Sequence, residues 1–430
     1  MATANRRLQA ATLQVLLLLV CVLTSASGLQ SLPDDGPVVP PSGVVLVIDL
    51  GNTNSCITGY AAGGSMFHFC IPSWVAFTAD GTALVGEAAK NHAGTDPGAA
   101  TVAFGFKRLL GRLSGDNVYE KDLVVQRAIE RAPYKMVLDD DVASSPSIQF
   151  SAKDGSVKQL GVTKVASMVI AELKAKAEEH LGHTVQYAFM TLPHGSSAAF
   201  KAAAEAAARM AGLVGVICTT SEPTAISVAH GLHVKLRGRE GSALVLRVGG
   251  GTSDASIVTL VDAGIGAPQP QVIGYSDEPF LGGDDFDQRM VDYFSKQIEA
   301  EHGVDVGRDI VAMGKLRTAC EQAKKALSSQ EHVQVTVDSM LADGLGFSQS
   351  LSRSKFEELN EDLFHKRRKN KIDEIVLAGG SSMIPRVQSL VKDYFDGREP
   401  NVSLKPDEAL WKHHNGVIFR RERPDMKKLL

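Results

Sequence analysis

The sequence predicts an α/β chain built from two related halves. Strand-like and helix-like patterns alternate from Gly43 over most of the chain. One hairpin design occurs twice, about 200 residues apart. The 430 residues leave room for two or three domains with cores of their own, so no disulfide or metal staple is needed for stability. Apolar residues make up 44% and charged residues 22%, which excludes collagen-like, coiled-coil and disordered classes. Lys and Arg number 45 against 49 Asp and Glu, a net charge of −4, and no nucleic-acid partner is expected from that balance.

The N-terminal 28 residues run from Arg6 and Arg7 through an apolar stretch, Val15 to Leu23, to the small residues Thr24 to Gly28. That order is the pattern of a secretory signal. The apolar stretch is too short for a bilayer core, which takes roughly 20 helical residues. Delivery to the secretory pathway with no membrane anchor after cleavage is therefore expected. Residues 29–42 carry four prolines and read as an extended linker. Cys21 leaves with the signal, and Cys56, Cys70, Cys218 and Cys320 remain without any CxxC spacing. Their even number permits disulfides, but their apolar contexts favour buried free thiols. A single glycosylation sequon stands at Asn401-Val402-Ser403, usable only if it lies on the surface.

The recurring design is an apolar strand, a Gly/Thr/Ser/Asn turn and a second β-branched strand, at residues 45–60 and again at 244–260. Both are hairpins rather than strand-to-helix turns, so neither is a Rossmann or Walker loop. Residues 196–213 form an Ala-rich helix that closes at Gly212. In residues 315–329, Leu316, Cys320, Ala323 and Leu327 make a buried helical stripe, while Glu321, Lys324, Lys325 and Ser328 make a second, polar one. Spacing alone reads the polar stripe as a solvated face.

A turn rich in Gly, Thr and Ser offers N–H groups and hydroxyls to phosphate oxygens, and an Asp ending the preceding strand can hold a metal through water. In the first hairpin these are Asp49 with Gly51, Asn52 and Thr53; in the second, Gly249, Gly250, Gly251 and Thr252, followed by Asp254. A pair of such turns at repeat spacing points to nucleotide phosphates held between two lobes.

The segments IDLGNTNS and GGGTSDASI resemble the two phosphate hairpins of the seventy-kilodalton heat-shock chaperones. FKRLLG, SEPTA, LGGDDFDQRMV, KLRTACEQAKKALSS, KFEELNEDLF, IVLAGGSSMIPRVQ and KPDEA resemble further family segments and follow in family order. The export signal makes the lumenal members of the endoplasmic reticulum the nearest in kind. The resemblance implies the actin-like ATPase fold, two duplicated lobes around a cleft for Mg-ATP. It implies a first lobe at 43–235, a second at 236–397, a return to the first at 398–410 and a divergent tail at 411–430.

Carried over by residue, the resemblance makes Lys107, Glu222, Asp49 and Asp254 the catalytic group, with Asp49 holding the metal through water. It places Gly282 and Gly283 in a γ-phosphate loop. Glu321, Lys324, Lys325 and Ser328 then grip adenosine, which reverses the solvated-face reading, with Gly379, Gly380, Ser381 and Asp407 on the same side. Departures are informative. Arg247 stands where the family has an acid beside magnesium, Asn52 replaces a hydroxyl, and Met383 replaces an Arg. At about 5 Å and an effective dielectric near 20, each unit of charge is worth roughly 3 kcal/mol. Weakened magnesium binding and slow ATP hydrolysis are expected, with ATP or ADP still bound.

Cys218 replaces an Arg used in coupling to J-domain cochaperones, which puts that contact in doubt and leaves a nucleotide exchange factor as the other implied partner. Residues 365–371 stand where relatives have a further helix, and the peptide-binding sandwich is not found after Leu410, so no direct client-peptide site is expected. Two other readings stay open: a non-catalytic module that sequesters cochaperones or exchange factors, and a fully competent chaperone ATPase.

Overall fold

The computed structural model describes residues 46–403 apart from 61–65, 79, 93–100, 113–121, 133, 138–145, 152–156, 233–240, 262–268, 341–343, 345 and 365–373. The signal, the proline-rich linker, the 365–371 segment, Asp407 and the 411–430 tail lie outside the described residues.

The first half begins with β1 (Val47–Asp49), β2 (Asn54–Tyr60) and β3 (Met66–Pro72). Two small antiparallel sheets follow, one of β4 (Val75–Phe77), β5 (Ala83–Val85) and β6 (Thr101–Ala103), the other of β7 (Met136–Val137), β8 (Ser147–Ser151) and β9 (Val157–Gly161). Helices α1 (Glu87–His92), α2 (Leu123–Arg131), α3 (Val162–Leu181) and α4 (Ala198–Met210) accompany them. Strands β10 (Tyr187–Leu192) and β11 (Gly215–Ser221) then join the main sheet, whose order is β11-β10-β1-β2-β3.

After α5 (Glu222–Ala229), the second half opens with β12 (Ser242–Val248), β13 (Ser253–Val261) and β14 (Gln269–Glu278). Then come α6 (Gly283–His302), α7 (Ile310–Leu327), a hairpin of β15 (His332–Val337) and β16 (Phe347–Ser352), α8 (Arg353–Leu359), β17 (Glu374–Ala378) and α9 (Pro385–Tyr394). The second main sheet runs β14-β13-β12-β17. Both halves share one plan: an antiparallel three-strand meander whose first strand pairs in parallel with a later strand, β10 with β1 and β17 with β12. The registers correspond as well, Asp49 opposite Cys56 in the first hairpin and Arg247 opposite Asp254 in the second.

Each half buries its own core. In the first, Leu46, Ile48 and Ile57 pack with Val165, Val169 and Leu173 of α3, whose apolar face covers the sheet at helical spacing. In the second, Phe286, Met290 and Phe294 of α6 meet Leu316, Cys320 and Leu327 of α7. The predicted α7 stripe is buried throughout. Asp309 caps α7 by accepting from the Val311 and Ala312 amides, which satisfies N–H groups the helix leaves orphaned. The Ala-rich helix ends at Met210, and Gly212 follows with φ +84°, a backbone conformation that favours glycine. Asn401 still bonds to β17, its amide to the Ile375 carbonyl and its carbonyl to the Leu377 amide.

The cysteines depart from the sequence reading. Cys56 and Cys70 form a disulfide between β2 and β3, not free thiols. They stand directly opposite in the antiparallel register with Cα atoms 4.1 Å apart, a pairing that sequence context does not reveal. Cys320 is free and buried, and the Cys218 side chain lies outside those described. Among the described residues no helix is long and apolar enough to cross a membrane.

Candidate functional site

A cleft of about 850 Å³ lies between the two halves, and both hairpin turns line it. The first turn is pinned from behind by two buried serines. Ser73 Oγ donates to the Gly51 carbonyl at 2.8 Å, and the Gly51 amide donates to Ser55 Oγ at 3.2 Å. The second turn closes on itself through the Gly249 amide and the Thr252 carbonyl, 2.9 Å. Asp49, Asn52 and Thr53 face Gly249, Gly250, Gly251, Thr252 and Asp254 across the cleft.

Arg247 sits among the acids at the cleft floor. Its Nε lies 2.6 Å from Asp254 Oδ2 and 3.0 Å from Glu222 Oε2, and Nη2 lies 3.4 Å from Thr252 Oγ1. Lys107 Nζ donates to the other Glu222 oxygen at 3.1 Å. Asp49 accepts from Thr191 Oγ1 at 3.0 Å. Burial opposes the charge on Arg247, but Glu222 and Asp254 outweigh it and raise the guanidinium above its ordinary value. Burial likewise works to raise Glu222, and Arg247 with Lys107 holds it below the usual carboxylate range. Burial pushes Asp254 up to about 6 even with Arg247 pulling downward, and it raises Asp49 against the pull of Lys107.

The donor set for a divalent ion is reduced to Asp49, because Glu222 and Asp254 are both engaged by Arg247. The place between Glu222 and Asp254, where a divalent ion or its waters would be held, is taken by a guanidinium whose bonds already neutralise both acids. A nucleotide does fit the donor set. The glycine turns offer backbone N–H groups, and Lys107, Arg108 and Arg247 all line the cleft as cations.

The turns themselves touch. A Cβ at Gly250 would stand 1.7 Å from Thr53 Oγ1, so only glycine allows this approach. Asp284, near the start of α6, accepts from Asn52 Nδ2 at 2.8 Å and from Thr53 Oγ1 at 3.4 Å. Arg108 Nη2 donates to the Gly251 carbonyl at 2.6 Å. Gly282 and Gly283 pack behind the second turn, with the Gly283 and Asp284 amides donating to the Gly249 and Gly250 carbonyls. The Gly282 amide donates instead to Asp285 Oδ2 at 2.8 Å, so the N–H groups of both glycines are spent within the protein, and of the two only Gly283 lines the cleft.

On the other side of the cleft stand Glu321, Lys324 and Lys325 of α7 and Ser328 just past its end, together with Gly379, Gly380 and Ser381. Lys90 from the first half and Lys325 both donate to Glu321, at 2.6 and 2.7 Å. Burial works to raise that carboxyl, yet the two lysines overcome it and hold it at about 2. Lys324 bonds Asp287 at 2.6 Å and the Gly283 carbonyl at 2.8 Å. Gly379 has φ +89° and approaches so closely that a Cβ would lie 2.4 Å from the Val248 carbonyl. Met383, in place of an Arg, is exposed and does not line the cleft.

Sequence reasoning missed Arg108, Asp284, Lys90 and Thr191. Arg108 and Asp284 adjoin residues that were singled out, Lys107 and Gly283, so proximity along the chain was the available signal. Nothing in the sequence around Lys90 points to Glu321.

The family described as Hsp70 protein matches residues 45–412. The heat shock 70 kDa protein BIP3 of Oryza sativa subsp. japonica is 40% identical over 389 residues, covering 85% of this chain and 55% of that protein. The chain thus spans just over half the length of this curated relative. Two lobes of matching strand order around one cleft are the actin-like ATPase fold, and a match over this much of the sequence decides the family: the chain belongs to the Hsp70 proteins and is a homologue of the BiP type.

Proposed function

We propose that this Hsp70 homologue binds ATP or ADP between its lobes with little help from magnesium, and that it hydrolyses ATP slowly. The observation that carries the reading is Arg247, held between Glu222 and Asp254 at the register position equivalent to Asp49. A guanidinium there supplies fixed positive charge to phosphate oxygens through its remaining N–H groups. It carries no coordinated water, so it does nothing to activate a nucleophile in the way a hydrated metal does. Lys107 adds a second cation at the same end of the cleft, and Glu321, Lys324, Lys325 and Ser328 offer polar contacts to the nucleoside.

The same proposal places the chain in the lumen of the endoplasmic reticulum, supported by the basic, apolar and small-residue order of residues 1–28 and by the likeness to lumenal chaperones. Its partners would be an exchange factor and, less favourably with Cys218 in place of an Arg, J-domain cochaperones. Calorimetry of the full chain with ADP tests the nucleotide claim. One site per chain is expected, weakened tenfold or more, roughly 1.4 kcal/mol, by Lys325→Ala. Absence of heat from both ATP and ADP would refute it.

A further inference from the structure

On one face of β2 and β3, two register pairs stand next to each other: Cys56 opposite Cys70, and Thr58 opposite His68. Residues two apart on a strand point the same way, so all four side chains share that face. His68 Nε2 lies 3.1 Å from Cys70 Sγ, and His68 Nδ1 lies 2.7 Å from Thr58 Oγ1. The two sulfurs and a ring nitrogen of His68 all fall within 4.8 Å of one another. Cys56 is buried, His68 half-buried and Cys70 exposed, so the group opens to solvent on one side.

We propose that reduction of the Cys56–Cys70 disulfide converts this face into a site for one zinc-class divalent cation, ligated by Cys56, Cys70 and His68. Zinc takes thiolate at about 2.3 Å and imidazole at about 2.0 Å in a tetrahedron. Three ligand atoms so close together reach one ion with small side-chain rotations, and water from the open side completes the shell. Thr58 is the orienting residue. Thr58 is buried, 6% exposed, and its hydroxyl can accept from Nδ1–H, which leaves the Nε2 lone pair for the metal. With the disulfide intact the same hydroxyl can rotate to donate to Nδ1, and Nε2–H then points at Cys70 Sγ.

The conversion needs an external dithiol. One of its sulfurs attacks the exposed Cys70 Sγ and breaks the Cys56–Cys70 bond. The reductant then closes to its own disulfide, and its two electrons and two protons leave Cys56 and Cys70 as thiols. Cation binding displaces those two protons. The site adjoins the first hairpin: Cys56 is the register partner of Asp49, so their side chains share one face, and both line the cleft.

The test titrates zinc against a chromophoric chelator, using the full chain in its oxidised form and after anaerobic reduction. Cobalt(II) serves as a spectroscopic substitute. The reduced chain should bind one zinc roughly 100-fold more tightly than the oxidised chain and give thiolate-to-cobalt charge-transfer absorption. His68→Ala and Thr58→Val, which leave the disulfide available to hold the oxidised fold, should each weaken binding roughly tenfold or more after reduction. Equal zinc affinity in the two redox states, no thiolate absorption with cobalt, or an affinity untouched by His68→Ala would each overturn the proposal.

Discussion

Arg247 and Asp254 face each other across the second hairpin, Nε 2.6 Å from Oδ2, at the register position that Asp49 and Cys56 occupy in the first. The duplicated fold therefore keeps an acid at this position in the first hairpin and puts a cation there in the second. That cation is embedded: Glu222 and Asp254 both lean on it, and both are buried. Removing it strands two carboxylates in a low-dielectric site. Arg247→Ala should cost about 3–5 kcal/mol of stability in urea unfolding. A loss below about 1 kcal/mol would mean the acids find other partners or protonate without penalty.

Asp284 joins the lobes by accepting from Asn52 and Thr53. The turns also touch at Gly250 and Thr53, and on the proposed reading a nucleotide entering between them parts these bonds. Asp284→Ala should speed association of a fluorescent ADP analogue several-fold in stopped-flow mixing. An unchanged association rate would show that these contacts do not limit entry.

Glu321 gives a pH signature. Its folded carboxyl titrates at about 2, below the ordinary 4.5, so between those values the unfolded chain holds the extra proton. Its stabilising contribution is full above pH 4.5 and is lost as pH falls through 2. The size is about 3 kcal/mol at neutral pH. Thermal melts of the parent and Glu321→Gln should differ most near neutrality and converge toward pH 2. A gap that widens in acid would contradict this.

The neighbouring glycines Gly379 and Gly380, which follow β17 and line the cleft, should respond differently. Gly379→Ala meets both a positive φ and the Val248 carbonyl and should cost about 2 kcal/mol or more. Gly380 has open space around its Cβ position, and Gly380→Ala should stay within about 1 kcal/mol. Chemical unfolding of both variants provides the comparison.

Local patterns carried the features that the sequence made legible. Period-two strands, the recurring turn and the Leu316-Cys320-Ala323-Leu327 stripe are short-range signals, and the structure shows two hairpins and a buried stripe where they predicted them. What stayed hidden depends on register or on distant contact. The Cys56–Cys70 bond follows from how β2 pairs with β3, and their apolar contexts argued the other way. Asn52 and Asp284 are 232 positions apart, and Lys90 and Glu321 are 231 apart, so neither contact leaves a trace in local spacing. The substitution of Arg247 was legible, but its bonds to both Glu222 and Asp254 became visible only in three dimensions.

The central claim is that Arg247 stands in for the metal's charge without its chemistry. Calorimetric titration of ADP, with and without magnesium, tests it most directly on the parent chain and on Arg247→Asp combined with Asn52→Thr. The parent should bind ADP with affinities within about threefold in the two conditions, while the double variant gains a magnesium dependence of about tenfold or more. A parent chain whose ADP affinity collapses when magnesium is removed, to the same extent as the double variant, would contradict the account.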